Sequence, residues 1–303
     1  MSICTTEEPQ LRIMFDNDEI PDTATPPTGE YLPSGAYHWR VPVRAYEPSA
    51  NGRMGPGNLL RYCEVAANAA SAASGFTYGW YADRGEGWVT FRQTIELAAP
   101  ISIGGSLDLL TWVQSFARVR SQRNYRLVRA SDGATVGRCS TTWAFVDSAS
   151  QTPKRIPTII TEHIPLLPRP ALGERATWGD VPTPLPPPAN VIWRARSYEA
   201  DSLKHINNCV YADWLTEAAA NAFAEWTNAA DPRLAAHANT LLLPRRLTIT
   251  YIRSVLPGDE ISITTTPERV GSRGIAIAQT ITLRADPTTP IVTVQAVYLT
   301  SRQ

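Results

Sequence analysis

Residues 196–226 read RSYEADSLKHINNCVYADWLTEAAANAFAEW, and residues 44–70 read RAYEPSANGRMGPGNLLRYCEVAANAA. In both stretches a strand-like segment ends in a polar loop, and a helix rich in alanine follows. Glu47 aligns with Glu199 at an offset of 152 residues, and a single gap aligns the two helices. This similarity indicates that the chain is a divergent repeat of two halves.

Each helix has one apolar face. The first is expected to begin near Pro56 and to stop at Gly75, and the second to cover 209–226. The apolar positions are Leu60, Cys63, Ala67 and Ala70 in the first helix, and Val210, Trp214, Ala218, Ala222 and Trp226 in the second.

The segments around each helix alternate apolar and polar residues, as β-strands do. In the first half these strands are predicted at 37–47, 88–97, 107–113, 123–130 and 135–147. The second half repeats the order, with a strand at 191–201 and four strands rich in β-branched residues after the helix. The sequence therefore predicts an α+β fold in which a curved antiparallel sheet wraps each helix and the two sheets pair side by side.

The length of 303 residues suits two domains. Residues 1–36 are polar and are expected to form a flexible lead-in, and the two domains are predicted at 37–150 and 191–303. Ten of the 25 prolines lie between Pro153 and Pro188, so residues 151–190 are predicted to be an extended linker.

Charge and cysteine content exclude several classes of protein. Lys and Arg together number 28, as do Asp and Glu, so a zero net charge argues against bulk binding of nucleic acid or anionic membrane. Four scattered cysteines without a CxxC motif indicate neither a zinc site nor a disulfide framework. The sequence contains no recognisable signal peptide and no span of about 18 apolar residues, so a cytoplasmic location is predicted.

The loop before the second helix could carry chemistry. Asp201 ends the predicted strand, His205 and Asn207 follow, and the helix begins at once. A carboxylate in this place could activate water or attack directly. The free backbone N–H groups at a helix start suit an oxyanion on a thioester carbonyl. These candidate donors belong to Asn208, Cys209, Val210 and Tyr211.

The pattern D-x-x-x-H-[IV]-N-N-x-x-Y before a helix, together with TWV (111–113), STTWAFVD (140–147) and KRIP (154–157), resembles the acyl-acyl carrier protein (acyl-ACP) thioesterase family. This family is related to 4-hydroxybenzoyl-CoA-type thioesterases. The resemblance covers roughly residues 37–303 and implies a tandem hotdog fold and hydrolysis of fatty acyl-ACP without metal or cofactor. It also implies acyl carrier protein as partner.

The same resemblance implies that Asp201, His205 and Asn207 are the catalytic residues, in the C-terminal hotdog. Two positions depart from the plant pattern: Leu203 stands where those members have Asn, and Ser254 stands where they have Glu. What remains resembles the simpler hydroxybenzoyl-CoA-type site, with one carboxylate and a helix N-terminus.

The first half lacks the carboxylate, since Ser49 stands in place of Asp201 and Arg53 in place of His205. One chemical site per chain is therefore expected, with the first half shaping the acyl pocket. Glu64 and Glu217, aligned at an offset of 153 residues, are candidates for a second acid, although a structural bond to a neighbouring strand is the simpler interpretation of both.

Three further interpretations remain open. Asn208 is expected to cap the helix, and Cys63 and Cys209 to be small core residues. A basic cluster is either solvated or docks the acidic carrier protein. It consists of Arg118, Arg120, Arg123, Arg126 and Arg129. The alternative functions are hydrolysis of acyl-CoA or aryl-CoA, or acyl binding without catalysis, in a monomeric pseudo-dimer or a homodimer.

Overall fold

A computed structural model describes residues 29–47, 54–101, 104–173, 185–228, 243–271 and 274–299 of the protein. Its helices are α1 (Pro56–Ala73), α2 (Tyr78–Ala82), α3 (Thr158–His163) and α4 (Asn208–Asn228). Its first-half strands are β1 (Glu30–Tyr31), β2 (Tyr37–Pro42), β3 (Glu86–Leu97), β4 (Ser106–Phe116), β5 (Arg120–Arg129) and β6 (Thr135–Asp147). Its second-half strands are β7 (Ala189–Arg194), β8 (Arg246–Tyr251), β9 (Glu260–Gly271), β10 (Gly274–Leu283) and β11 (Asp286–Leu299).

The described strands form one antiparallel sheet in the order β1-β2-β4-β5-β6-β3-β8-β11-β10-β9-β7. The two halves meet where β3 pairs with β8, and from this junction outward the strands repeat in the same order. At the junction the hydroxyl groups of Thr94 and Thr248 lie 3.1 Å apart, and Arg246 pairs with Glu96 at 2.6 Å. The predicted side-by-side pairing of the two sheets is therefore confirmed.

Both long helices lie where the sequence places them. The predicted apolar residues of α1 and α4 are all buried, and all except Ala70 belong to one core that runs through both halves. Gly75 ends α1 with a φ of 91°, a left-handed conformation that glycine adopts without strain. The helices also contact each other: Arg61 pairs with Asp213 at 2.7 Å, and Gly57 lies against the same carboxylate, leaving no room there for a Cβ atom.

Equivalent contacts relate the two halves. The Tyr62 hydroxyl of α1 donates to Glu47, and the Trp214 indole of α4 donates to Glu199 at 2.9 Å. Both pairs follow the offset of 152 residues, and α1 and α4 also begin 152 residues apart. At this offset of 152 residues, the position in α4 equivalent to Glu64 is Thr216, one residue before Glu217.

The linker prediction is wrong over 151–173. This segment forms α3 and packs against the first half, where Ile156, Ile160 and Ile164 are buried beside Phe145. It also forms a parallel bridge through Leu166. Apolar residues at a spacing of four gave the segment a face to bury despite its prolines. Residues 174–184 lie outside the described part.

The lead-in is shorter than predicted, because β1 pairs with β2 and Ala36 is buried. Residues 1–28 lie outside the described part. The strand predicted at 191–201 ends at Arg194, and residues 197–199 form a short 3₁₀ turn. No helix in the described ranges combines the length and hydropathy needed to cross a membrane.

Candidate active site

The loop that leads into α4 is a small closed turn. Ala200 and Ile206 form an antiparallel bridge, and the backbone N–H of Asp201 donates to the carbonyl of His205 at 2.9 Å. Lys204 adopts a left-handed conformation with a φ of 62°, which lets the chain reverse within few residues. The Oδ1 atom of Asp201 accepts a 2.8 Å bond from the N–H of Leu203. These bonds hold the carboxylate in one place.

Asn207 caps α4, because its Oδ1 atom accepts a bond from the N–H of Cys209 at 2.9 Å. The prediction that Asn208 is the cap is therefore wrong. Asn208 is the first residue of the helix, and its side chain donates to Gln93 at 3.1 Å. The cap is the residue just before the first helical turn, a position the sequence alone fixes only to within a residue or two.

Three of the four predicted oxyanion donors are already used. The N–H of Cys209 donates to the Asn207 side chain, and the N–H of Val210 donates to the Asn207 carbonyl at 3.0 Å. Tyr211 is the fourth residue of α4, so its N–H takes part in the helix's own hydrogen bonding. Within the described ranges no residue accepts a bond from the N–H of Asn208. Asn208 N–H, at the very start of the helix, is therefore the best-placed donor for a developing oxyanion.

Glu64 comes from α1 of the other half and meets this helix start. Its carboxylate oxygens lie 3.3 and 3.4 Å from Nδ2 of Asn207, and Sγ of Cys209 lies 3.3 Å from Oε2. Burial raises the pKa of the Cys209 thiol well above its ordinary value, and the negative charge of Glu64 raises it further. Cys209 therefore stays a thiol at neutral pH and is no nucleophile, as expected of a core residue.

No sequence pattern predicted the polar side chains that contact the start of α4 from the sheet. Gln93 of β3 is buried and accepts a bond from Asn208, and the Tyr251 hydroxyl lies 2.9 Å from both Gln93 Oε1 and the Asn208 carbonyl. Burial raises the pKa of Tyr251 well above its ordinary range, so the hydroxyl stays a donor. Both residues lie at the β3–β8 junction, so the inter-half sheet pairing positions the start of α4.

The remaining predicted residues are placed as follows. His205 is half-buried and does not line the large cavity between α1 and the sheet of the first half. Glu217 is exposed on α4, because it is one residue, or about 100° of helix rotation, away from the position equivalent to Glu64. Ser254 is exposed near the end of β8. Ser49 and Arg53 lie outside the described residues.

A cavity of about 540 Å³ lies between α1 and the sheet of the first half and reaches the loop before α4. Glu64, Asp201, Ser202 and Leu203 line it where the two halves meet. The rest of its wall is rich in aromatic side chains, namely Phe76, Tyr78, Tyr81, Trp88, Phe116 and Trp143. The structure thus brings both carboxylates and a large, mostly apolar space together, within the size range of ligand pockets.

The basic cluster is divided between the two faces of β5. Arg123 points to the helix side, is only 6% exposed and lines the cavity. Arg118, Arg120 and Arg126 are exposed, and Arg129 pairs with Asp132 of the following turn at 3.3 Å. The prediction of one surface cluster is therefore wrong for Arg123, because side chains alternate between the faces of a strand.

Comparison with known proteins agrees with this architecture. Residues 35–164 match the sequence model of the acyl-ACP thioesterase N-terminal domain, and residues 203–288 match that of the thioesterase superfamily. The chain is 25% identical over 198 residues to oleoyl-acyl carrier protein thioesterase 1, chloroplastic, of Arabidopsis thaliana. That match covers 60% of this chain and 54% of the relative, so the chain spans about half the length of the relative.

Two solved structures share the fold over most of both chains. An acyl-ACP thioesterase of Bacteroides thetaiotaomicron superposes with a TM-score of 0.67 at 16% identity, over 87% of this chain and 98% of that one. The 12:0-ACP thioesterase of Umbellularia californica gives 0.68 at 14% identity, over 88% and 95%. These likenesses establish the fold, and the two sequence matches confirm the resemblance seen in the motifs: the chain is a tandem hotdog protein whose N-terminal half matches the acyl-ACP thioesterase family and whose C-terminal half matches the thioesterase superfamily.

Proposed function

We propose that the protein hydrolyses fatty acyl-ACP thioesters to free fatty acid and carrier protein. The observation that supports this most is the shared cavity, because one space is lined both by the carboxylates of Glu64 and Asp201 and by a long aromatic wall. An acyl chain in that space would place its thioester against the start of α4. The N-terminal half then shapes the acyl pocket, and the C-terminal half supplies the catalytic loop.

In this mechanism Asp201 is the general base or the nucleophile. One of its oxygens is held by Leu203, so the other is free to accept a proton from water or to attack the carbonyl carbon. As the C–O bond forms, the carbonyl oxygen gains negative charge, which the N–H of Asn208 and the positive end of α4 stabilise. The C–S bond then breaks, and the carrier leaves as a thiol after gaining a proton. When water has attacked, the free acid forms directly; when Asp201 has attacked, water hydrolyses the resulting mixed anhydride to the free acid and restores Asp201.

Glu64 is the second acid in this proposal. It lines the cavity, and Asn207 and Cys209 hold it in place from the other half. A carboxylate in this position can exchange a proton with the water or the leaving sulfur. Asn207 is then a positioning residue, since its side chain is already bound to both the helix start and Glu64. His205 is proposed to orient the carrier arm outside the cavity wall.

The family resemblance and the composition support four further parts of the proposal: the partner, the absence of a cofactor, the state of assembly and the compartment. We infer that acyl carrier protein delivers the acyl chain, that hydrolysis needs no metal or redox cofactor, and that the chain acts as a monomeric pseudo-dimer or a homodimer. The cytoplasmic location predicted from the N-terminal sequence remains a prediction.

The test is a panel of acyl-ACP and acyl-CoA substrates at matched chain lengths, with Asp201→Asn as the comparison protein. We expect kcat/KM to be higher for the carrier-bound substrates, and kcat to fall by about 10² or more in Asp201→Asn. Circular dichroism should show an unchanged fold in the variant. Absence of turnover with every thioester would refute the proposal, and faster turnover of acyl-CoA would assign the enzyme to the CoA-dependent alternative.

A further inference from the structure

A buried cation lines the cavity without a protein carboxylate as partner. Arg123 is only 6% exposed, and among the described residues its guanidinium donates to Thr111 Oγ1 at 3.4 Å. No described carboxylate forms an ion pair with it. A guanidinium has five N–H donors, so most of its hydrogen-bonding capacity is left for whatever occupies the cavity.

The three acidic residues in the same cavity wall form contacts elsewhere. Glu86 pairs with Lys154 at 2.7 Å, and Glu64 contacts Asn207 and Cys209. Asp201 accepts a bond from Leu203. Burying a charged group is costly unless it is paired and hydrogen-bonded. An oxygen atom of a bound ligand would supply the acceptor that the described residues do not.

The corresponding strand of the other half shows that the fold itself does not need this cation. β10 holds the same place in its half-sheet as β5, yet its sequence, GIAIAQTITL, contains no charged residue. Ile275, Ile277 and Ile281 point into the core there and are fully buried. The fold accepts plain apolar residues at this layer, so the arginine belongs to the cavity.

We propose that the acyl group accepted by this cavity carries an oxygen atom, as a hydroxyl, keto or carboxylate group, that accepts hydrogen bonds from Arg123. This inference rests on the proposed thioesterase function and narrows its substrate class. Arg123 is then a specificity-determining residue. The aromatic wall contacts the hydrocarbon part of the acyl chain, and the guanidinium favours chains whose oxygen atom lies within hydrogen-bond distance of it.

The experiment compares acyl-pantetheine thioesters of one chain length, with an unsubstituted chain against chains that carry an oxo or hydroxyl group at successive carbons or a terminal carboxylate. For the wild-type protein we expect kcat/KM for the best oxygenated chain to exceed that of the unsubstituted chain by about 10-fold to 100-fold. In Arg123→Met the ratio should fall to near one. Arg123→Lys should keep part of it, because it retains the charge but loses the planar fork.

Arg138→Met is the matched control, since Arg138 lies on β6 outside the cavity wall, and it should keep the wild-type ratio. A wild-type protein that hydrolyses the unsubstituted chain as fast as every oxygenated chain would overturn the inference, as would an unchanged ratio in Arg123→Met.

A binding measurement separates this inference from the proposed function. Acyl-pantetheine amides, in which nitrogen replaces the thioester sulfur, cannot be cleaved by a thioesterase, and their binding can be followed by the fluorescence of Trp88 and Trp143 in the cavity wall. If no thioester is hydrolysed, tighter binding of the oxygenated amide by the wild type than by Arg123→Met still supports the cavity assignment. Equal binding by both proteins contradicts it.

Discussion

The two halves share a strand order and a helix, but the space beneath the helix differs. Under α4 the sheet presents Ile275, Ile277 and Ile281, and Trp226 is also fully buried, so this interface is a solid core. Under α1 the sheet leaves a cavity of about 540 Å³ with Arg123 in its wall. In the described residues, one half thus has apolar side chains packed beneath its long helix, and the other has a cavity there.

The helix entries differ in the opposite sense. α1 begins with Pro56 after Gly55, which has no side chain to cap the helix. In sequence, the residue aligned with Asp201 is Ser49. α4 begins with the Asn207 cap and the Asp201 turn. The half with the cavity therefore lacks the loop carboxylate in its sequence, whereas in the described part of the other half apolar side chains fill the corresponding layer. The candidate site of this chain draws residues from both halves, so each half can lack one of these features while the site keeps both.

The strongest test of this difference between the two halves is to replace the two helix glutamates, Glu64 and Glu217, one at a time. Glu64→Gln should lower kcat by about 10-fold to 100-fold, because Glu64 reaches the start of α4 and lines the cavity. Glu217→Gln should leave kcat within twofold, because Glu217 is exposed. Steady-state kinetics on one acyl-ACP substrate measures both. Equal losses would mean that the halves are not divided as the structure indicates.

A second prediction separates capping from positioning at Asn207. Asn207→Ala should lower the free energy of unfolding by about 1 kcal/mol through loss of the cap, and should lower kcat as well. Asn207→Asp should retain the cap, since Asp is an equally good N-cap, but it loses the amide donor to Glu64 and sets two carboxylates about 3.3 Å apart.

We therefore expect Asn207→Asp to lose about 10-fold to 100-fold in kcat. Its retained cap and the repulsion between the two carboxylates act in opposite directions on the free energy of unfolding. Urea denaturation and steady-state kinetics measure the two effects independently. If activity follows stability in both variants, Asn207 contributes only as a cap, and the contact with Glu64 has no part in catalysis.

The sequence predicts the repeat, the two long helices and the succession of strands along the chain, because these depend on local periodicity. Leu60 and Trp214 belong to sets of apolar residues whose spacing places them on one face of a helix. All the apolar positions predicted for the two long helices are buried. Contacts across the pseudo-two-fold axis are different. That Glu64 meets Asn207 from the other half depends on how far the two helices slide along each other, which no local pattern encodes.

For Arg123 the information was present in the sequence. It lies two residues before Tyr125 and four before Leu127, and residues at this spacing share one face of a strand. Tyr125 and Leu127 are buried, so the alternation places Arg123 beside them, whereas Arg120 and Arg126 fall on the opposite face. Grouping the arginines by their closeness in sequence missed the burial of Arg123, because neighbouring residues of a strand point to opposite faces of the sheet.

The smallest expected effect concerns the exposed face of the same strand, which again has no charged counterpart in β10. Arg118 and Arg120 lie together at the β4–β5 turn, whereas Arg126 lies six residues further along, about 20 Å away. If the acidic carrier docks at the turn, Arg118→Glu with Arg120→Glu should raise KM for acyl-ACP a few-fold and flatten its salt dependence. Arg126→Glu is the control for a general field effect, and acyl-pantetheine is the control for folding. Equal effects of both changes would indicate a diffuse field, and no effect of either would mean that these arginines are solvated charges and that the carrier docks elsewhere.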